Sequence, residues 1–318
     1  MNTEALASLA WIDRSAQKKR LAILGPDRAK FLHNLTTNEV KRLKPGEGRE
    51  AFVTTLQGKT LALIHFHLLD DRILIRTDPE GFDPLLAHFR KYGVFDDVEI
   101  LDVSDATFEI LVAGQGANDF VEESFGATAD ESSQSVREVD GLAILRDDPT
   151  GRGGQTLVGP SSKRDEILAK LASVPTLSPE RFEAGRILQG VPVFGRDLTV
   201  DNLPQELGRD SQTISFIKGC YLGQETVARL DALGHVNKML KGGIVDLGEP
   251  LPPAGAVLWK DGVEVGRVTS SAFAEVRDRG VLLGLVRVAK VQSGDRLQAR
   301  WPGVEAGLVL LDLPMPDH

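Results

Sequence analysis

Short apolar runs and amphipathic stretches alternate along the first three quarters of the chain, and the pattern predicts strands and helices in turn. RLAILG (20–25) reads as a strand, after which Gly25 and Pro26 open a helix whose apolar stripe is Phe31, Leu32 and Leu35. Proline suits a first helical position because its missing N–H has no intrahelical partner there. TLALIHFHLL (60–69), the turn Asp70-Asp71 and RILIRT (72–77) predict a hairpin. Asp83-Pro84 predicts the start of a second helix, carrying Leu85, Phe89 and Tyr92. FEILVAG (108–114) predicts a strand leading into a helix that ends near Gly126, and Ser178-Pro179 opens a further helix running to Gly190.

Near Lys238 the texture changes. AVLWKDGVEVGRVTSS, GVLLGLVRV and RLQARW are short β-rich pieces split by Gly and Asp, with little helical periodicity. They predict a small β-barrel or sandwich, entered through the Pro-rich loop GEPLPPAG (248–255). No repeat of fixed period accompanies them.

Composition narrows the class. A chain of 318 residues, 42% hydrophobic and 26% charged, suits a folded protein of two or three domains. No run of 18 apolar residues occurs, so no membrane span is expected. The first twenty residues lack an apolar core behind a basic start, so no signal peptide is expected. A single cysteine excludes an intrachain disulfide and suits a reducing compartment, so the expected location is cytoplasmic. The formal net charge of −9 gives no general attraction for phosphate backbones. The densest basic cluster, Lys18-Lys19-Arg20 with Lys41, Arg42 and Lys44, reads as a solvated surface. No direct nucleic-acid contact is expected.

Three familiar chemistries fit poorly. GQGAND (114–119) follows a strand and opens a helix, but Asp119 stands where a dinucleotide loop needs its third glycine. His65 and His67 share a strand face, yet two ligands are too few for a metal and no third His or Cys lies close in sequence. No Gly-x-Ser-x-Gly elbow supports a serine hydrolase.

The remaining motif is KGCYLGQETVAR (218–229), which holds the only cysteine. Gly219 and Gly223 let the backbone turn tightly around Cys220, and a helix is expected to follow, with Glu225 and Arg229 spaced for an i,i+4 pair. A helix N-terminus and Lys218 nearby both favour a thiolate. A lone cysteine can equally be a small buried hydrophobe, and no catalytic His is placed by spacing, so both readings stand.

KGCYLGQETVAR resembles the signature of the YgfZ family, folate-binding proteins related to the aminomethyltransferase (T-protein) of the glycine cleavage system. Three further segments are similar to that family in the same order. They are GPDRAKFLHNLTTNEVKRLKPGEG (25–48) with its Thr37-Asn38 pair, GRILQGVPVFGRDLTVDNLPQE (185–206), and GHVNKMLKG (234–242). The resemblance covers nearly the whole chain. It implies an α+β fold: a three-domain T-protein-like ring of two interleaved α+β domains and a C-terminal β-barrel. The expected boundaries are 1–50 with 150–237 for a folate-binding domain, 51–149 for the second and 238–318 for the barrel.

The resemblance also implies function. YgfZ-like proteins bind tetrahydrofolate and support assembly, maturation or repair of iron–sulfur enzymes, including radical tRNA-modifying ones, so the expected partners are those enzymes or cluster-assembly proteins. Cys220 is then the reactive thiol, with Lys218 as its tuning group. Asn38, Phe182, Arg186, Gln189 and Glu206 are expected at the folate cavity, Phe182 as a pterin wall. Tyr221, Gln224, Glu225 and Arg229 are expected to shape the thiol pocket. Each also has a structural reading: Arg186 and Glu206 as an ion pair, Phe182 as core, Asn38 as a turn or cap.

Two departures separate this chain from the transferases. LQGKTLALIHF (56–66) places Ala62 and Leu63 where the acidic catalytic residues would fall, which argues against aminomethyltransferase activity unless Asp70 or Asp71 reaches the cavity. RILQG (186–190) places Leu188 where the transferases carry a pterin-binding Glu, leaving Gln189 or Glu206 to hold the pterin, or a weaker grip. One thiol cannot hold a cluster that needs about four ligands, so no metal is expected to be held by this chain alone and any cluster is shared transiently through Cys220. The expectation is an accessory factor rather than a classical enzyme. The alternatives are a folate-dependent one-carbon transferase or demethylase, and a binding module that has lost its folate.

Overall fold

The computed structural model describes residues 8–132, 134–234 and 236–316. Two five-stranded antiparallel sheets and a closed six-stranded barrel make up its β structure. The first sheet runs in the order β3 (Gly48–Thr54), β4 (Thr60–Leu68), β5 (Ile73–Thr77), β2 (Lys19–Leu24), β6 (Glu99–Asp102). The second runs β1 (Ala10–Asp13), β7 (Thr107–Ala113), β10 (Gly154–Pro160), β9 (Leu142–Leu145), β8 (Val136–Val139). The barrel closes in the order β11 (Lys238–Val245), β14 (Arg279–Arg287), β13 (Val263–Ala274), β12 (Val257–Lys260), β15 (Arg296–Trp301), β16 (Val304–Leu311).

The two sheets divide the chain differently from the expected boundaries. β3 crosses residue 50 and pairs with β4, while β2 pairs with β5 and β6, so residues 19–102 build one sheet. β1 instead pairs with β7, which carries the start of the chain into the second sheet together with strands up to Pro160. Apolar periodicity identifies strands but not their partners, and the partners set these boundaries.

Period-two alternation gives each sheet two different faces. In β4, Ala62, Ile64, Phe66 and Leu68 join Phe31 and Leu32 of α1 (Arg28–Leu35) and Phe82, Leu85 and Phe89 of α2 (Pro79–Tyr92) in one core. α2 starts at Pro79 behind Asp78 rather than at the expected Pro84, which lies inside the helix and costs it a hydrogen bond. In the second sheet, Phe108, Ile110 and Val112 pack on α3 (Ala117–Phe125) and α4 (Arg164–Lys170).

The opposite faces of the sheets meet each other. At one end the contact is apolar, with Leu69 and Leu74 against Val136, Ala143, Leu145 and Val158. Elsewhere it is charged. The Arg76 guanidinium donates to Glu109 at 3.0 and 2.7 Å and also to Asp147, all three side chains being buried. Arg14 and Arg20 stand behind Glu109 at 3.7 and 3.9 Å. Burial alone would raise the Glu109 carboxyl, but the charge and hydrogen bonds of Arg76 overcome it and hold it at about 2. The His67 ring lies in the same layer with neither nitrogen hydrogen-bonded, and burial pushes it down to about 3.

α5 (Pro179–Leu188) ties these sheets to the barrel. Buried Arg186 donates to Glu183 and to the Val191 carbonyl, then to Asp197 at 2.9 Å and to Ser270 of β13 at 2.8 Å. Truncating one member of such a cluster strands a buried charge, so Arg186→Ala is expected to cost about 3–5 kcal/mol in urea unfolding. The inter-sheet layer predicts an acid-sensitive fold. The folded value of His67 lies below its ordinary 6.5, so stability is expected to decline as pH falls from 6.5 towards 3. Glu109 adds a loss of about 3 kcal/mol as pH falls from 4.5 towards 2. Urea unfolding at stepped pH tests both, and His67→Leu is expected to remove about one proton of uptake on unfolding near pH 5.

Candidate functional site

The loop 214–223 is positioned by backbone groups far away in sequence. Ser215 donates its N–H to the Thr37 carbonyl and Leu222 donates to the Asn34 carbonyl, both at 2.9 Å. Gly223 takes φ = 84°, and a Cβ there would stand 2.4 Å from the Thr55 carbonyl oxygen, so only glycine lets the loop approach the β3–β4 turn. The loop connects the short α6 (Asp210–Thr213) to α7 (Gln224–Leu233), which follows immediately.

Lys218 lies at the centre of this loop. Its buried ammonium donates to the carbonyls of His33, Thr36 and Asn38 at 2.7, 2.6 and 2.7 Å, spending all three protons on the C-terminal end of α1. It also lies 5.0 Å from the centre of the Tyr221 ring. Burial pushes the Lys218 ammonium down to about 7 and pushes the Tyr221 phenol up. This lysine is therefore a clamp on α1 rather than the expected tuning group of the thiol.

Cys220 is an exposed free thiol. It lines an open groove of about 320 Å³ with Phe31, Asn34, Tyr92, Asp96 and Tyr221. The turn between Tyr92 and Asp96 leaves Val94 and Phe95 in solvent, Phe95 at 94% exposure, and Phe216 and Ile217 just before the thiol are also exposed, Ile217 at 85%. Large apolar side chains are thus exposed on two segments next to the groove, a feature common at interaction faces. The buried-filler reading of Cys220 is excluded by its exposure.

A second cavity, of about 480 Å³, opens where the inter-sheet layer meets α5 and the end of the barrel chain. Glu50, His65, Gln134 and Asp147 line it, with Arg49, Arg146 and Arg209. Arg209 grips Glu50 through both carboxylate oxygens at 2.7 Å. Burial would raise the Glu50 carboxyl, but the Arg209 charge brings it below the ordinary value, and Arg76 holds Asp147 well below its own. Among the described residues Arg49 donates only to the Gly48 carbonyl and Arg146 only to Asn118, so both bring a positive charge with no ion-pair partner there to the cavity. Among the described residues no Phe, Tyr or Trp lines it; Val191, Leu207, Leu313 and Pro314 supply the apolar wall.

Residues 240–317 match the glycine cleavage T-protein C-terminal barrel domain. The tRNA-modifying protein YgfZ of Hamiltonella defensa is 31% identical over 69% of this chain and 65% of its own length. The chloroplastic protein At1g60990 of Arabidopsis thaliana is 30% identical over 79% of this chain and 59% of its own. The iron–sulfur cluster assembly factor IBA57 homolog of Dictyostelium discoideum is 23% identical over 69% of this chain and 59% of its own. This chain thus spans less than two thirds of each of these relatives. The crystal structure of the aminomethyltransferase T of Bartonella henselae superposes with a TM-score of 0.83 over 97% of this chain and 86% of its own, at 20% identity. The chain is thus YgfZ-like in sequence and T-protein-like in fold.

Within this YgfZ-like protein the expected site residues scatter. Gln189 alone of the expected folate group lines the cavity. Asn38 is one step removed: its side-chain amide donates to the carbonyls of Glu50 and Gln212, both cavity-wall residues, at 2.8 and 2.7 Å. Phe182 is not a cavity wall; it packs near Ile12 and Leu111 with the Arg14 guanidinium 4.8 Å from its ring centre. Arg186 is absorbed by the α5–barrel cluster and pairs with Glu183 and Asp197, not Glu206. Glu206 caps its own turn, accepting from Asn202 and the Leu203 N–H. Tyr221 borders the thiol groove, whereas Gln224, Glu225 and Arg229 lie on α7 outside it and no ion pair joins the last two among the described residues.

The transferase positions are equally clear. Ala62 is buried in the helix-side core and Leu63 packs with Phe52 and Ile187 on the other face, so neither offers a proton-accepting group. Asp70 and Asp71 are exposed at the β4–β5 turn and absent from the cavity wall. The carboxylates that do reach the cavity, Glu50, Asp147 and Asp148, escaped the sequence reading; for Glu50 the available signal was a charge placed inside the apolar strand GREAFVT. His65 and His67 share a face as expected, and no metal-binding group of three exists among the described residues. Lys218→Met strands three carbonyls and is expected to cost about 1–3 kcal/mol in urea unfolding. Hydrogen exchange at residues 33–38 and 216–222 is expected to accelerate with it.

Proposed function

We propose that this YgfZ-like protein holds a reduced folate in the 480 Å³ cavity and meets iron–sulfur proteins through the Cys220 face during cluster assembly, maturation or repair. The continuity of one segment carries this reading. Arg209 grips Glu50 on the cavity wall, Gln212 is held there by Asn38, Lys218 donates to the Asn38 carbonyl, and the segment ends at exposed Cys220. Occupancy of the cavity and presentation of the thiol are thereby physically linked.

The cavity residues fit a folate. The volume lies in the range of about 300–1,000 Å³ usual for small-molecule pockets. Glu50, Asp147 and Gln134 offer acceptors for the pterin edge, and the unpaired Arg49 and Arg146 suit the carboxylates of a glutamyl tail. When bound, a tetrahydrofolate supplies nitrogens that can carry a one-carbon unit. Cys220 supplies at most one ligand of the roughly four a cluster needs, so a cluster is shared with the partner. Radical tRNA-modifying enzymes are the proposed clients, a reading supported by the relative named as tRNA-modifying and the one named as an iron–sulfur assembly factor.

A one-carbon transferase is the second reading, favoured by the carboxylates Glu50, Asp147 and Asp148 in the cavity. Glu50 and Asp147 are already paired with Arg209 and Arg76, and Asp148 accepts from the Thr150 hydroxyl and from the N–H groups of Thr150 and Arg152, which engages all three and favours the accessory role. Calorimetry is expected to detect tetrahydrofolate binding, weakened about tenfold by Arg49→Ala. Absence of binding at high micromolar ligand ends the folate half of the proposal. In a strain lacking the gene, Cys220→Ala is expected not to restore cluster-enzyme activity; full restoration ends the thiol half.

A further inference from the structure

A third cavity, of about 490 Å³, lies where the barrel meets the 193–202 loop, apart from both sites above. Four cationic side chains line it: Arg196, Lys238, Arg267 and Arg287. Its carboxylates are Asp197 and Glu264. Asp197 is buried and already accepts from Arg186, Thr269 and Ser270, while Glu264 is paired with Arg267 at 3.4 Å. Arg196 is paired with Glu183. Among the described residues Lys238 and Arg287 have neither an ion pair nor a side-chain hydrogen bond, and both are exposed.

Strand register makes this grouping more than a surface average. Lys238 on β11 is directly opposite Arg287 on β14, and Leu285, two residues back on the same face, is opposite Arg267 on β13. Three neighbouring strands therefore project cations from one face. Like charges directly opposed across an antiparallel pair are destabilising. The chain is acidic, with 46 Asp and Glu against 37 Lys and Arg, so composition does not favour such a cluster. A cavity, two unpaired cations and an opposed like-charge pair coincide at one place.

We propose that this groove binds a compact, multiply charged phosphate group, either free or carried by a small molecule. The planar fork of Arg287 takes two phosphate oxygens and Lys238 adds a point charge from the adjacent strand. The two unpaired cations lie side by side on the barrel wall of a small groove, which suits one or two phosphates rather than the long rows of cations that a nucleic-acid backbone needs.

Isothermal calorimetry of the full chain at low salt tests this with pyrophosphate and with ADP as probes, against sodium chloride of matched ionic strength. Pyrophosphate is expected to bind, and Lys238→Gln and Arg287→Gln each to weaken it about tenfold. Thermal melts of both variants are expected to match or exceed wild type, because the opposed charges are removed. ADP binding as tightly as pyrophosphate assigns the group to a carried diphosphate, and binding of pyrophosphate alone assigns it to the free anion. Three outcomes overturn the proposal: no binding beyond the salt control, binding unchanged in both variants, or a single-stranded RNA oligonucleotide that binds through these residues while pyrophosphate does not.

Discussion

The charged layer between the two sheets is the constraint on which the rest of the structure depends. Arg76 holds Glu109 and Asp147 in a space that both sheets cover, and a buried ion cluster tolerates little displacement of any member. The apolar contact at Leu69 and Leu74 fixes only proximity, whereas the guanidinium forks fix register and angle. The cavity forms where this layer meets α5, so its wall inherits its geometry from the same charges. Glu50 and Asp147 are thus both structural and site residues.

A parallel economy governs the thiol loop. It has no regular structure between Ile214 and Gly223, and its order comes from the carbonyls at the end of α1. Lys218 collects three of them, and Asn38, whose own carbonyl is one of the three, bridges to Glu50 and Gln212. The loop, the end of α1 and the cavity wall therefore form one hydrogen-bonded unit, in which moving any part strands buried polar groups.

Periodicity made the strands, most helices and the change to a barrel legible in the sequence, because each depends on local spacing. The Cys220 motif was legible for the same reason. Strand partners were not, because a pairing such as that between Trp11 and Val112 leaves no local trace. Side-chain roles failed similarly. Lys218 is two residues from Cys220 in sequence, yet its partners lie 180 or more residues away. Arg186 and Phe182 are on a correctly expected helix whose buried side faces the barrel and the second sheet rather than the cavity. Glu50 comes from β3 of one sheet and Asp147 from the loop after β9 of the other, and no linear spacing brings them together.

The face around Cys220 has a colloidal consequence. Phe95 and Ile217 stand almost fully in water, a condition that weakens on association with anything apolar. Free chains therefore attract one another through the same surface that is proposed to receive a partner, and salts excluded from protein surfaces strengthen that attraction. The apparent size of the free protein in solution should grow with its concentration and with kosmotropic salt. The supply of partner then sets how much of the chain stays dispersed, which couples the amount of this protein that remains usable to the amount of work available for it.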